Sequence, residues 1–465
     1  MLISERLRGK NLTDYLMIAI IVVIFFASLF EINLKIKGFL LESGDTSVAE
    51  QAIWNTIHGD WFYQSFLPVS NNFREHLNFS QFIFLPFYAL VPKLLTIYVV
   101  IGLAYSAATF FLYQLAKEKL GGGLAFVAAL SFLLNPIAIL QNIHTMHVAA
   151  IGAPLLLMSF IFYEKNKYVP WLIFLIATVM ASEFVAPTVF LIGIIAFIDK
   201  RSLKWIIPPI ASSLAMYIAS ALYITVGFSE NKTLLGSLNF ASIQDSLNKR
   251  LYYLEEIFRP ALYVMPFFSK YAILLLPTVA LDMVILRYDR LASGSHLFSL
   301  VPAILAIIFV DILQKCNPKH KKFIAGLIVL GLAISVPSWY KEVSFSPDKR
   351  VSAMEEAIGL VKDSGSVTAS RVLGPSLNHR HDFYLFDNAM DTDYVIINSK
   401  GEDARSRKLK PYLQSIYASD DYLKVMERDG VAAYVKKAKV AELTLRDASF
   451  VSENPEEAIK ILKNK

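Results

Sequence analysis

The chain has little of what soluble redox proteins and nucleotide-dependent enzymes use. It has one cysteine, Cys316, in 465 residues, which excludes an intrachain disulfide and leaves the redox compartment open. It has no phosphate-binding P-loop, dinucleotide fingerprint, CxxC pair or nucleophile elbow. Only 18% of the residues are charged, and the net charge of +6 comes from Lys and Arg in short loops between apolar runs, so no nucleic-acid partner is indicated.

Long apolar runs dominate instead. Hydrophobic residues make up 55% of the chain, and the mean hydropathy is +0.47. Many runs approach the roughly 20 residues that cross a bilayer, which predicts a polytopic membrane protein. The first run, from Tyr15 to Ile32, follows basic residues but has no small-residue cleavage pattern, so we expect it to be retained as a span.

We predict about eleven spans, with the approximate limits 14–33, 94–116, 122–140, 146–163, 169–183, 185–198, 204–227, 250–266, 270–286, 296–313 and 322–339. Lys and Arg mark cytoplasmic loops, and their positions put the N-terminus in the cytoplasm of a plasma-membrane protein. The long loop 34–93 is then exterior. The spans next to Glu183 and Pro266 are short, so broken or re-entrant helices are an alternative there.

The chain changes character near residue 344. Short strand-like runs alternate with two helix-like segments over residues 344–437, which predicts a small α/β domain. An odd number of spans puts this domain on the exterior, and a charged, partly helical tail covers 438–465. The predicted fold is therefore mainly α, with a helical membrane domain over residues 1–343 and a small C-terminal α/β exterior domain.

Polar residues that are costly in a membrane gather on the predicted exterior side, where they indicate a functional site. Asp45 is the strongest candidate. Ser47 and Glu50 have the spacing of a capping box, which would start a helix near residue 48 and leave Asp45 just before it. Asp45 could then act as a general base or bind a metal, or it could simply be the N-cap. Gln51 and Trp54, one turn apart, would contact substrate or anchor the helix at the membrane interface.

Four histidines and one glutamate complete the candidate set. His144 and His147 are three residues apart, a spacing that permits joint metal ligation with Asp45 or Glu183 but also suits two interfacial histidines. Glu183 is either functional or part of a helix junction. His76 could bind substrate or simply face water. His296 could bind substrate or lie beside a helix N-cap. A divalent metal remains open as a cofactor.

These residues together resemble a family of prokaryotic polytopic membrane proteins. The resemblance rests on Asp45 six residues before a Gln-x-x-Trp, on His76 followed by an LPFYALVP segment, and on short motifs at His144, Glu183 and His296. That family is similar to the GT-C membrane glycosyltransferases, which take a sugar from a polyprenyl-phosphate carrier. The resemblance implies that Asp45 is the catalytic carboxylate. The sequence departs from the family pattern at Asn142 and on both sides of Glu183, at Ser182 and Phe184.

The sequence therefore predicts a GT-C-like enzyme that transfers a sugar from a polyprenyl-phosphate carrier to an acceptor on the exterior face. Its partners would be the lipid-linked sugar and membrane lipid. Two alternatives stay open, namely a transporter of lipid headgroups or solutes that is not an enzyme, and a surface-assembly scaffold with a degenerate site. The expected catalytic residues are Asp45 and Glu183, and the expected substrate-binding residues are Gln51, Trp54, His76, His144, His147 and His296.

Overall fold

The computed structural model describes residues 12–41, 43–66, 70–143, 148–227, 254–255, 257–284, 299–343, 349–361, 365–386, 390–398 and 409–440. The chain forms two units. The first combines Met1–Ile32 with Phe73–Ser344, and the second combines Asn33–Asn72 with Phe345–Lys465.

The first unit is helical. Its described α-helices are Leu12–Lys37, which continues into the second unit, Gln81–Leu90, Leu94–Leu120, Gly122–Leu133, Pro136–Ile143, Gly152–Glu164, Tyr168–Val179, Ala186–Ile198, Leu203–Gly227, Leu276–Val284, Val301–Lys315 and Pro318–Val343. Short 3₁₀ turns lie at Val148–Ile151, Glu183–Val185, Arg259–Ala261, Met265–Phe268 and Lys270–Leu275. In the described part of the chain, three helices are long and apolar enough to cross a membrane, namely Leu12–Lys37, Leu94–Leu120 and Leu203–Ile224.

The predicted span over 250–266 is not one continuous helix in the residues that the structure describes. Residues 254–255 and 257–258 are helical, and the 3₁₀ turns Arg259–Ala261 and Met265–Phe268 follow, which fits the alternative of a broken helix. Pro260 and Pro266 each remove a backbone donor, and Leu262 and Tyr263 have positive φ angles of 48° and 61°, which no α-helix accommodates. The count of about eleven spans therefore stays a prediction.

Glu183 lies at a sharp break between two helices. The chain bends by 119° between Tyr168–Val179 and Glu183–Ile198. Ser182 is extended at the break, and its hydroxyl accepts a hydrogen bond from the backbone N–H of Phe184 at 3.3 Å. The predicted alternative of a broken helix is therefore the arrangement found here, and it sets a carboxylate on the bend.

The core of the first unit surrounds one helix. In Val301–Lys315, every residue from Val301 to Leu313 is buried. A helix that is apolar all round lies inside a bundle, which is the environment this sequence predicts. Its one buried charge, Asp311, accepts a hydrogen bond from Ser269 at 2.7 Å and pairs with Lys315 at 2.8 Å.

Ion pairs join several of the loops predicted to be cytoplasmic. Lys119 pairs with Glu164, whose carboxylate also accepts a hydrogen bond from the hydroxyl of Tyr271 at 3.3 Å. The neighbouring Lys270 pairs with Asp199. These loops therefore meet at one end of the first unit, as the positive-inside assignment requires, while the side of the membrane they face stays a prediction.

The second unit is built on a five-stranded sheet. Its strands are β1 (Val367–Ala369), β2 (Phe383–Tyr384), β3 (Tyr394–Asn398), β4 (Tyr422–Arg428) and β5 (Val431–Lys436), in the spatial order β2-β1-β3-β5-β4. β1 is parallel to β2 and β3, whereas β5 is antiparallel to β3 and β4. The described helices are Ser43–Ile57, Val351–Gly359, Gly374–Leu377, Leu409–Ala418 and Lys437–Val440.

Part of the first loop belongs to this second unit. Phe39, Val48 and Phe66 share one apolar cluster with the sheet, and the rings of Phe66 and Phe383 lie 4.7 Å apart between centroids. The loop predicted as 34–93 is thus divided, because its residues up to Asn72 fold with the C-terminal region and those from Phe73 fold with the helical unit. Burial of these aromatic rings stabilises the shared core by about 1.5–3 kcal/mol for each side chain.

Candidate functional site

The helix that carries Asp45 starts earlier than the capping-box pattern predicts. It spans Ser43–Ile57, so Asp45 lies in its first turn rather than before it, and the side chain of Asp45 is outside the described residues. Ser47 is buried inside the helix, and its hydroxyl has no hydrogen-bond partner in the described part of the chain. The capping box is wrong because the carboxylate that it required, on Glu50, is engaged elsewhere.

Glu50 forms a buried polar cluster within the second unit. Its side chain is 0% exposed, and its two carboxylate oxygens lie 2.7 Å from Asn378 Nδ2 and 2.9 Å from His379 Nε2. The imidazole of His379 is also stacked with Trp54, with 6.2 Å between ring centroids. The sequence analysis did not identify Glu50 and His379 as partners, because 329 residues separate them in the chain.

Gln51 is held by the protein itself. Its amide nitrogen lies within 3.1 Å of Ser65 Oγ and of the carbonyl oxygens of Arg380 and His381, and its oxygen accepts from the backbone N–H of Ser65 at 2.9 Å. The side chain therefore ties the first-loop helix to the segment that leads into β2. Substrate binding by Gln51 stays a prediction, and each hydrogen bond described for its amide goes to protein.

A second aromatic group lies on the same unit. The rings of Tyr63 and His381 are stacked with 4.1 Å between centroids, and His381 also pairs with Asp382 at 3.0 Å. Burial, reinforced by the charge of Asp382, raises the pKa of the Tyr63 phenol. Tyr63 and His381 thus form an aromatic surface next to a carboxylate.

In the first unit, the structure brings together two of the predicted site residues. His76 Nδ1 lies 2.7 Å from Glu183 Oε1, and Glu183 Oε2 accepts hydrogen bonds from the backbone N–H of Leu77 at 3.1 Å and from Ser182 Oγ at 3.3 Å. Glu183 is 6% exposed. A buried carboxylate needs such donors, so we name this arrangement the His76–Glu183 pair.

The chain after His76 is fastened to the same helix break. The backbone N–H of Ser80 donates to the carbonyl of Met180 at 2.9 Å. The hydroxyl of Ser80 donates to the carbonyl oxygen of Val148 at 3.2 Å, and lies 3.4 Å from that of Ala181. The His76–Glu183 pair is therefore positioned by backbone on both sides of the break.

An apolar cavity begins one turn beyond Glu183. Its volume is about 390 Å³, and it lies between helices Ala186–Ile198, Leu203–Gly227 and Leu276–Val284. Nearly all of its lining is apolar; the lining residues include Ala186, Pro187, Phe190, Ser213 and Ala280. Such a cavity suits a hydrocarbon chain better than a polar ligand.

The remaining predicted residues cannot be compared with the structure. His144, His147 and His296 lie outside the described residues. Two of them and Asp45 were the metal candidates, and the described part of the chain contains no cluster of three or more His, Cys, Asp or Glu suited to a metal. The metal site predicted from His144, His147 and Asp45 therefore stays a prediction.

A family model for predicted membrane proteins, DUF2079, matches residues 39–433. The chain belongs to the DUF2079 family. No curated protein matches it significantly.

The fold is similar to that of ArnT. ArnT from Cupriavidus metallidurans bound to undecaprenyl phosphate superposes with a TM-score of 0.58 at 11% identity, over 90% of this chain and 97% of that one. ArnT from the same organism in the apo state gives a TM-score of 0.53 at 10% identity, with the same coverage. The chain is mainly helical with a small C-terminal sheet, and the ArnT-like fold supports a polytopic membrane domain.

Proposed function

We propose that this DUF2079 protein is a membrane glycosyltransferase that moves a sugar from a polyprenyl-phosphate carrier to an acceptor on the exterior face of the plasma membrane. The observation that carries the proposal is the ArnT-like fold, which extends over 90% of the chain and which in ArnT holds undecaprenyl phosphate. The N-terminus would lie in the cytoplasm, and the C-terminal sheet would face the exterior.

The apolar cavity supports the lipid part of the proposal. Ala186 and Pro187 line it, and they follow Glu183 by three and four residues. A polyprenyl chain in this cavity would therefore direct its phosphate toward the helix break. The His76–Glu183 pair would meet the phosphate at that point.

His76 and Glu183 would then act on the leaving phosphate. Because Nδ1 of His76 is bonded to Glu183, the imidazole would donate to a phosphate oxygen through Nε2. A carboxylate beside Nδ1 favours the protonated imidazole, which is the form that stabilises negative charge. Glu183 would thus position His76 and sustain its charge.

The transfer itself breaks one bond and forms another. The acceptor oxygen bonds to the anomeric carbon as the bond from that carbon to the phosphate oxygen breaks, and the phosphate keeps the electron pair. Asp45, by its resemblance to the catalytic carboxylate of GT-C enzymes, would take the proton of the acceptor hydroxyl. Added negative charge on the phosphate near a low-dielectric boundary requires nearby donors, which is the role given to His76. Trp54, Gln51, His144, His147 and His296 stay predicted substrate contacts.

The test is sugar transfer by the purified full-length protein in lipid nanodiscs. Radiolabelled hexoses carried on decaprenyl phosphate would be supplied with membrane-derived acceptors, and product would be separated by chromatography. Asp45→Asn should reduce the rate about 10²–10⁴-fold, as loss of a general base does. The matched control is Asp391→Asn, which removes an exposed carboxylate that pairs with Lys436 in the second unit and should transfer at the wild-type rate.

Three outcomes would oppose the proposal. Equal rates for wild type and Asp45→Asn would remove the catalytic role of Asp45. Lipid binding followed by movement of the intact lipid-linked sugar across the bilayer would favour the transporter. A protein that binds neither the lipid nor its sugar would favour the scaffold.

A further inference from the structure

Two buried side-chain amides beside the His76–Glu183 pair have polar atoms without hydrogen-bond partners in the part of the chain that the structure describes. Gln81 is 0% exposed, and neither its amide nitrogen nor its amide oxygen has a hydrogen-bond partner in the described structure. Asn78 is 3% exposed, and its side-chain oxygen is unpaired in the same way. Buried polar groups are normally satisfied, so each such group needs an explanation.

Backbone hydrogen bonds hold Asn78 and Gln81 close together. Successive hydrogen bonds run from the N–H of Gln81 to the carbonyl of Asn78, from Phe82 to Phe79 and from Ile83 to Ser80, with N–O distances of 2.9–3.2 Å. This is the i to i+3 pattern of 3₁₀ turns, and it leads into the helix Gln81–Leu90. Asn78 and Gln81 are therefore held one turn apart, joined by a backbone hydrogen bond.

The turn is fixed next to the predicted reaction centre. Asn78 follows His76 by two residues, and its backbone N–H donates to the carbonyl of His76 at 2.8 Å. Ser80, between the two amides, is bonded to the backbone at Met180, three residues before Glu183. The unpaired amides thus share one short, well-anchored segment with the His76–Glu183 pair.

We propose that Asn78 and Gln81 form a binding subsite for sugar hydroxyl groups, which selects the sugar carried by the lipid donor. The amide of Gln81 offers a donor and an acceptor, and Asn78 offers an acceptor. A hydroxyl group both donates and accepts, so hydroxyls on a sugar ring satisfy all three atoms. A phosphate accepts only, and would leave the oxygens of Asn78 and Gln81 unpaired.

The subsite predicts that the two amides destabilise the ligand-free protein, because their buried polar atoms lack hydrogen-bond partners until the sugar binds. This inference rests on the proposed function for the identity of its ligand, although the stability measurement does not. Gln81→Met keeps the length and helix propensity of the side chain and removes both unpaired atoms. The melting temperature of the ligand-free full-length protein should therefore rise by about 2 °C or more.

Binding should change in the opposite direction. The probes are decaprenyl phosphate alone and decaprenyl phosphate that carries a hexose, an N-acetylhexosamine or a pentose, each titrated into protein in nanodiscs. Wild type should bind at least one sugar-bearing lipid more tightly than the sugar-free lipid. Gln81→Met should weaken that complex about tenfold, as expected for lost hydrogen bonds, and should leave affinity for the sugar-free lipid within about twofold.

Gln51→Met is the matched stability control. Gln51 is the same residue type and is also 0% exposed, but its amide is bonded to Ser65 and to two backbone carbonyls. This variant should lower the melting temperature. A lower melting temperature for Gln81→Met as well would show that the Gln81 amide already has hydrogen-bond partners in the protein, and would overturn the subsite.

The binding arm separates the subsite from the proposed function. Equal weakening of sugar-bearing and sugar-free lipids by Gln81→Met would overturn the subsite, as would a wild-type protein that binds no sugar-bearing lipid more tightly than the bare lipid. Sugar-dependent binding that Gln81→Met weakens, in a protein that never transfers the sugar, would support the subsite and refute the transferase. Sugar transfer by wild type, with unchanged sugar preference in Gln81→Met, would support the transferase and refute the subsite.

Discussion

Replacing Glu183 separates its charge from its hydrogen bonds. The carboxylate accepts from His76 Nδ1 at 2.7 Å, from the Leu77 N–H at 3.1 Å and from Ser182 Oγ at 3.3 Å. In Glu183→Gln, the amide oxygen can still accept from Leu77, and the amide nitrogen can donate to His76 if the imidazole takes its other tautomer. The hydrogen bonds then survive as neutral bonds.

The expected loss follows from those bonds. Hydrogen bonds to charged groups contribute about 1.5–3 kcal/mol and neutral ones about 0.5–1.5 kcal/mol, so Glu183→Gln should lower the free energy of unfolding by about 1–3 kcal/mol. Glu183→Ala leaves the buried Leu77 N–H and His76 without an acceptor at this position. Removing one partner of a buried pair costs about 3–5 kcal/mol, so the alanine variant should be less stable by roughly a further 2 kcal/mol.

Activity should not follow stability in this series. Both variants lose the negative charge that favours protonated His76, so both should transfer sugar about a hundredfold more slowly than wild type. The assay combines chemical unfolding of the full-length protein in detergent with the nanodisc transfer rate. Equal stability of the two variants would refute the described hydrogen bonds, and wild-type activity in Glu183→Gln would refute the role of the charge.

Three further predictions concern other contacts. Glu50→Gln should lower the free energy of unfolding by about 1.5–3 kcal/mol, and His379→Gln should lower it by less, because the Glu50 side chain is 0% exposed and that of His379 is 40% exposed. Chemical unfolding curves of the two variants test this. A larger loss of stability for His379→Gln would contradict it. Ala280→Trp should narrow the 390 Å³ cavity and weaken binding of undecaprenyl phosphate about tenfold in a titration, whereas unchanged affinity would move the lipid elsewhere. Asp382→Asn should lower the raised pKa of Tyr63, measured as the tyrosinate absorbance that Tyr63→Phe abolishes. The stability linked to this raised pKa is present below pH ~10 and is lost as pH rises through the pKa of the folded state. A Tyr63 pKa that Asp382→Asn leaves unchanged would exclude the carboxylate as a cause.

The sequence predicts four strand-like runs, at 366–370, 383–386, 394–398 and 431–435, and they correspond to β1, β2, β3 and β5. β3 is buried at all five positions and has neighbours on both sides, so an apolar run identifies it. β4 was missed because it is an edge strand whose YLKVMER sequence mixes charged residues with apolar ones. Charged side chains protect exposed sheet edges, and the same charges hide such strands from a hydrophobicity pattern.

The sequence predicted which site residues lie together only where the membrane topology puts them on the same side. His76 and Glu183 were expected on one side of the membrane, and the structure pairs them across 107 residues of sequence. Nothing local to Glu50 indicates His379, which is 329 residues away, and the nearby Ser47 suggested a helix cap instead. Gln51 is a similar case, since a buried amide bonded to backbone and an amide that binds substrate have the same sequence signature.

The division of the first loop between two units has a practical consequence for dissecting the protein. The backbone passes from one unit to the other after Ile32, after Asn72 and again after Ser344. A fragment that begins near residue 345 would lack Phe39, Val48 and Phe66 and would present part of its sheet core to solvent. The C-terminal region therefore does not contain its complete core, and transferring it to another membrane protein would require residues 33–72 to be transferred as well.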